Sequence, residues 1–181
     1  MQSKTMKDLK NFLPLHLYGK GQAKDYSSLL QEIEKKESQI IWDNNRPIRL
    51  IKVCRVRVIC GDQELYEDRQ VFSDGRVRKR GIRGLAEKLF KDEKEEIAAK
   101  RALKEELGLS DEASTLVSIH FNGIDNEEKE SPSYPGLKTR YLFWDFIAYL
   151  PVQYWQEEFV EGCEDDVKQT YFVWRKIADN N

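Results

Sequence analysis

Glu93-Lys94-Glu95-Glu96-Ile97-Ala98-Ala99-Lys100-Arg101-Ala102-Leu103-Lys104-Glu105-Glu106-Leu107-Gly108-Leu109 is the most regular segment of the chain. Asp92 stands before it as an N-cap with Glu95 three residues on, a capping-box pattern, and Gly108 stands where a left-handed C′ glycine ends a helix. Ile97, Leu103 and Leu107, with the alanines between them, are expected to form its apolar side. Ala102, Glu105 and Glu106 lie at i, i+3 and i+4 and project together. Two carboxylates there can hold a hard cation, Mg²⁺ or Mn²⁺, which keeps waters and takes further oxygens from a substrate phosphate. Acids in a last turn oppose the helix dipole, and local rules are broken most often where function requires it. The plainer reading is a solvated face on which Arg101 pairs with Glu105 at i, i+4.

Strands are expected upstream of this helix. In residues 48–60, Val53, Arg55, Arg57 and Ile59 alternate with Cys54, Val56, Val58 and Cys60, the period of a strand. Residues 63–72 read as a second strand, Ser73-Asp74-Gly75 as a turn and 76–80 as a short basic strand. Downstream, 115–121 reads as a strand, 122–138 as a long loop, 140–150 as an aromatic strand, 155–160 as a short helix and 169–177 as a last strand. Residues 1–22 lack clear period and read as an arm. In 26–37, Leu29, Leu30 and Ile33 at helical spacing mark an amphipathic helix, and Asn44-Asn45-Arg46-Pro47 marks a turn. The expected organisation is an arm and helix over 1–40 packing on a main domain over 41–181. The order of elements predicts an α+β or α/β fold with a mixed central sheet flanked by helices.

Composition narrows the function classes. The 181 residues are 40% hydrophobic and 11% aromatic, enough for one domain with a real core, and 30 basic against 32 acidic side chains nearly cancel. Neither a polybasic nucleic-acid binder nor an acidic tail protein has that balance. Cys54 and Cys60 are roughly 20 Å apart along one strand at about 3.3 Å per residue, too far to bond. Three scattered cysteines, with Cys163 the third, fit a reducing cytosol, and no apolar stretch approaches a membrane span or a signal peptide. The expectation is a cytoplasmic protein without a membrane partner. His16 and His120 are too few and too separated for a His-based zinc site.

The acidic helix resembles the Nudix box, whose pattern is Gly, five residues, Glu, seven residues, then Arg-Glu-U-x-Glu-Glu-x-Gly-U with U a bulky aliphatic. Glu93, Arg101, Leu103, Glu105, Glu106, Gly108 and Leu109 fall in register, seven of the nine defined positions. Glu87 takes the place of the opening glycine, and Ala102 that of the Glu after Arg101. Ala86-Glu87-Lys88 and Phe172-Val173-Trp174 are similar to a Nudix-like branch of plants and cyanobacteria. The resemblance implies a Nudix α/β/α sandwich with a loop-helix-loop box. It also implies a Mg²⁺- or Mn²⁺-dependent pyrophosphohydrolase acting on a nucleoside diphosphate linked to another moiety.

On that resemblance Glu105 and Glu106 are metal ligands, Arg101 orients them and Glu93 supports the loop. A further ligand is expected from Glu87, or from the acidic loop before the last strand, where Glu164, with Glu161, Asp165 and Asp166, is a candidate. An alanine at 102 offers neither a ligand oxygen nor a proton acceptor. The alternative is therefore a Nudix fold that has lost catalysis and serves as a ligand sensor or interaction module. Arg55, Arg57 and Arg83 are candidates for gripping a phosphate, against the plainer view of charged strand edges. Tyr134, Tyr141 and Trp144 could stack on a base, although aromatics in such strands are more often core. Single-stranded RNA binding through the basic strands is a third, weaker reading.

Overall fold

The computed structural model describes residues 6–90, 92–163 and 168–177. Its elements run α1 (Met6–Leu9), α2 (Tyr26–Glu34), β1 (Gln39–Asp43), β2 (Arg46–Cys60), β3 (Gln63–Val71), β4 (Val77–Arg83), β5 (Leu85–Lys88), α3 (Glu95–Leu107), α4 (Asp111–Leu116), β6 (Ser118–Glu130), β7 (Lys138–Tyr149), β8 (Glu158–Cys163) and β9 (Lys168–Lys176). It is a mixed α and β protein with few helices and one large mixed sheet. The strand order is β6-β7-β2-β3-β9-β8, with β1 and β5 paired to β2 and β4 paired to β3. No helix among the described residues is long and apolar enough to cross a membrane.

The chain divides into two compact units. The first is Met1–Val53, Lys88–Glu93 and Ile124–Phe143, and the second is Cys54–Glu87, Lys94–Gly123 and Trp144–Asn181. In β2, Cys54, Val56, Val58 and Cys60 are buried while Arg55, Arg57 and Ile59 are half-buried, the expected alternation. Ile51 and Val53 are buried on the other parity, so the pattern switches where the units divide.

In the first unit, Leu9, Leu13, Tyr18, Leu29, Tyr134 and Leu137 form one core cluster. Residues 9–18 of the expected arm are therefore packed structure. Short turns break its helical period, with 3-10 turns at Lys10–Phe12 and Leu15–Leu17, yet it still delivers three large side chains to the core. Within α2, Leu29 is buried and Leu30 is exposed. Glu32 of the same helix is buried too. It is ion-paired to buried Arg49, accepts the Tyr134 hydroxyl at 2.8 Å and meets Lys24 at 3.1 Å. Burial alone would push its carboxyl up, but Arg49 and the hydrogen bonds from Tyr134, Arg49 and Lys24 outweigh this and hold it below the ordinary range. Tyr134 is thus core, as is usual for an aromatic in such a position.

Several other expectations are corrected. The loop over 122–138 is largely strand, since β6 runs to Glu130 and only 131–137 remain as a connection. Nearly all of β6 is exposed, so it lacks the apolar alternation that marks a strand; the backbone ladder needs none. Arg140 on β7 pairs with its Glu128 at 2.9 Å. The helix expected at 155–160 is replaced by an extended segment, β8, which sets Phe159 opposite Phe172. Leu85–Lys88 is a further strand, and the strand expected from residue 115 begins only at Ser118, after α4 capped by Ser110. His120 is exposed and meets Tyr149 edge-on.

In the second unit Gly84 sits at φ +69°, and a Cβ there would lie 2.1 Å from the Val56 carbonyl oxygen. Its amide donates to the Leu65 carbonyl at 2.8 Å, so the close approach cannot open without losing that bond. Gly84→Ala is expected to destabilise the fold by at least about 2 kcal/mol, read by urea unfolding. Glu32→Gln leaves the buried Arg49 charge uncompensated and should lose about 3–5 kcal/mol at pH 7. Because the folded Glu32 carboxyl is lowered from 4.5, its contribution is complete above that pH and is lost as pH falls through the folded value. The stability of Glu32→Gln should accordingly fall less on acidification than that of the natural chain.

Candidate functional site

Helix α3 positions the acids, and it does so differently from the expected pattern. Asp92 has φ +67°, outside the extended range an N-cap adopts. The N-cap is Lys94, without a side-chain cap bond. Glu93 instead accepts the Phe90 amide at 3.0 Å and so closes the turn before the helix. Gly108 ends the helix in the left-handed region, as expected. The inward face is Ala98, Ala99, Ala102, Leu103, Glu106 and Leu107, while Ile97 is 52% exposed. The small side chains are the core face, and the branched one turns to water.

Ala102, Glu105 and Glu106 therefore do not all project together. Ala102 has no exposure and Glu106 only 9%, one above the other at i, i+4, whereas Glu105 is exposed. Arg101 Nη1 bridges Glu105 at 3.1 Å and Glu87 of β5 at 3.2 Å. The expected i, i+4 pair is present, and Glu87 joins it. Lys104 pairs with Asp111.

Glu106 is the unusual member. Its Oε1 is buried with no hydrogen-bond partner. Burial first, then the charges of Glu161, Glu87, Glu67 and Glu105, push its carboxyl well above the ordinary range. From the downstream acidic segment the structure brings Glu161 to this cluster; Glu164, Asp165 and Asp166 lie outside the described residues. Glu67 was not singled out from sequence, because nothing local distinguishes it in β3. It is buried and bonded to Arg80 at 3.2 Å.

The arginines form a separate group. Arg55 grips Asp145 in bidentate fashion at 2.6 and 2.7 Å. Buried Glu64 receives Arg57 at 2.6 Å and Arg83 at 3.3 Å. Arg55, Arg57 and Arg83 line one pocket of about 320 Å³ with Asn122, Asp145 and Phe146, and with Glu64 beneath, three guanidinium groups face two carboxylates. Cross-strand partners share a face of a sheet and neighbours along a strand alternate. The registers put Arg57, Glu64, Tyr66 and Arg83 on one face and Glu67, Phe172, Phe159 and Glu161 on the other. The structure thus gathers the three arginines but does not bring them to the acids. Of the candidate stacking aromatics, Tyr141 lies parallel to Phe143 at 5.8 Å and Trp144 is half-buried.

Among the described residues no group of three or more His, Cys, Asp or Glu side chains already stands in metal-holding geometry. The donor chemistry nevertheless fits a hard divalent cation: an orphaned carboxylate oxygen surrounded by further carboxylates. Convergence requires Glu87 or Glu105 to turn from Arg101.

No known family pattern matches the chain, and no curated protein matches it. Among solved structures, the E. coli ORF135 protein, determined in solution, shares 15% identity over 71% of this chain and 75% of its own, with a TM-score of 0.37. That score does not establish a shared fold.

A carboxyl raised in the folded state contributes stability that is complete below its unfolded value and lost as pH rises through the folded one. Glu106→Gln removes the burdened charge. The variant is expected to be more stable than the natural chain at pH 8, by on the order of 1 kcal/mol, with the difference closing as pH falls toward 4.5, the ordinary value. Urea unfolding across that pH range measures it.

Proposed function

We propose that the second unit carries the box helix of a Nudix-type α/β/α sandwich. In this reading the cluster around Glu106 takes Mg²⁺ or Mn²⁺ together with the diphosphate of a nucleoside diphosphate linked to another moiety. The observation that supports this most is the unpartnered, buried Glu106 Oε1 among four other carboxylates. Such an arrangement weakens the fold, and native proteins keep it where a ligand relieves it. Glu106, Glu105, Glu87 and Glu161 are the residues that would hold the ion. A divalent ion bound there would neutralise and polarise substrate phosphate oxygens.

The chain's own groups have separable roles. Arg101 orients Glu87 and Glu105 by ion-pairing with both. Glu106, whose carboxyl is raised by burial and by neighbouring carboxylates, is the member suited to hold a proton and exchange it. Glu93 fixes the turn that leads into the helix. Ala102 supplies no oxygen, so the site works with one acid fewer than the resemblance calls for. Arg55, Arg57 and Arg83 are assigned to the opposite face and not to this substrate.

One observation favours a second reading, a catalytically inactive ligand-sensing or interaction module. Ala102 is fully enclosed, so the missing acid is replaced by core packing and not by an open position.

Metal binding tests the proposal first. Isothermal titration of Mn²⁺ and Mg²⁺ is expected to show one site whose affinity rises with pH as Glu106 loses its proton. Glu106→Gln should weaken binding at least about tenfold, the loss of one ligand's worth of free energy. No binding, or equal binding by Glu106→Gln, removes the metal site from the reading. Formation of nucleoside monophosphate from nucleoside-diphosphate conjugates then separates the two functions. Turnover above the Glu106→Gln control supports the hydrolase, and metal binding without it supports the inactive module.

A further inference from the structure

A second group of side chains in this unit has a different chemistry. Gln63, Trp155, Glu157, Glu158, Val173 and Trp174 line an open pocket of about 620 Å³. Both indoles are held by their N–H edges. Trp155 Nε1 donates to Gln63 Oε1 at 3.1 Å, and Trp174 Nε1 donates to the Gln156 carbonyl at 2.7 Å. Phe159 meets Trp174 edge-to-face at 6.2 Å. With their donors engaged, the rings have only π surface and C–H edges to offer a ligand, and Trp155 remains 40% exposed. Holding the rings in advance lowers the ordering cost of binding.

The charge of the lining completes the case. Its charged residues are both carboxylates, with no lysine or arginine among them. Glu158 is engaged by Arg69 at 3.2 Å, so exposed Glu157 is the acid left to face a ligand. An anion would be repelled, and a purely apolar ligand would gain nothing from the acid. Indole faces and a carboxylate together attract a cation, most effectively one that gives up little hydration. The protein repeats the pattern internally: Arg69 lies 4.0 Å over the Tyr171 ring while bonded to Glu158. We infer that the pocket between Trp155 and Trp174 binds an organic ammonium group, quaternary or methylated.

The test follows the indole Nε1–H signals of the four tryptophans by NMR as choline is added to the full chain. Its neutral isostere 3,3-dimethylbutanol is titrated in parallel. Choline is expected to shift Trp155 and Trp174 saturably and to bind about tenfold more tightly than the alcohol, the scale of a cation–π contact. Trp155→Ala should abolish the shift at Trp174. Glu157→Gln, an exposed substitution that leaves the fold intact, should weaken binding about threefold. Acetyl-trimethyllysine amide separates the sources: tighter binding than choline assigns the ammonium to a modified protein side chain, weaker binding to a free small molecule. Equal affinity for choline and the alcohol, unaltered binding by both variants, or no saturable shift at Trp155 and Trp174 up to about 100 mM overturns the inference.

Discussion

Close packing of an alanine face is the constraint on which the second unit depends. Ala98, Ala99 and Ala102 have no exposure, and α3 rests against β8. Side chains this small let a helix approach its neighbour closely. Glu106 is one turn beyond Ala102, so the same approach carries its carboxylate out of water and toward Glu161 of β8. The helix cannot keep its packing and leave Glu106 solvated. Arg101, at the margin of that face, reaches Glu87 and Glu105. The electrostatic tension of the site thus follows from a packing choice two helical turns long.

Strand β3 distributes charge between two surfaces by alternation alone. Glu64 and Glu67 are three residues apart, an odd spacing that sends them to opposite faces. Glu64 is enclosed by Arg57 and Arg83, whereas Glu67 meets Arg80 and adds to the negative field at Glu106. A linear inspection that groups the basic residues of β2 and β4 with the acids of α3 therefore joins side chains that the sheet keeps apart. Arginine clusters next to an acidic helix in sequence need a strand register before they become a binding site.

What could be read from sequence follows the range of the interactions involved. The C-terminal stop at Gly108, the alternation in β2 and the turns at Asn44-Asn45 and Ser73-Asp74-Gly75 depend on residues near in the chain, and all are found. The Arg101–Glu105 pair is equally local. The extent of β6 was hidden because its residues are polar and its order comes from pairing in the sheet. The strand β8 was hidden for a related reason: its extended form is supported by β9, not by its own composition. Orientation of α3 was misjudged at Ile97 and Glu105, since periodicity finds a face without saying which side chains turn inward when alanines compete. Glu67 could be assigned to the cluster only through long-range register, and the same register places Glu161, one of the acids offered by the loop, on its face.

Two buried glutamates in this chain meet opposite fates, and the contrast explains why Glu106 calls for a function. Glu32 enters its core with Arg49, Tyr134 and Lys24 around it, and its carboxyl is lowered. That is how a protein buries a charge for structure: every oxygen is met, and removal of a partner is costly. Glu106 enters its core with an oxygen unmet and like charges on several sides, and its carboxyl is raised. A structural role would be served as well by glutamine or an apolar residue of similar size. Packing therefore accounts for the position of Glu106 but not for its acidity. What a carboxylate has and those residues lack is a proton to exchange and a charge to share with a cation.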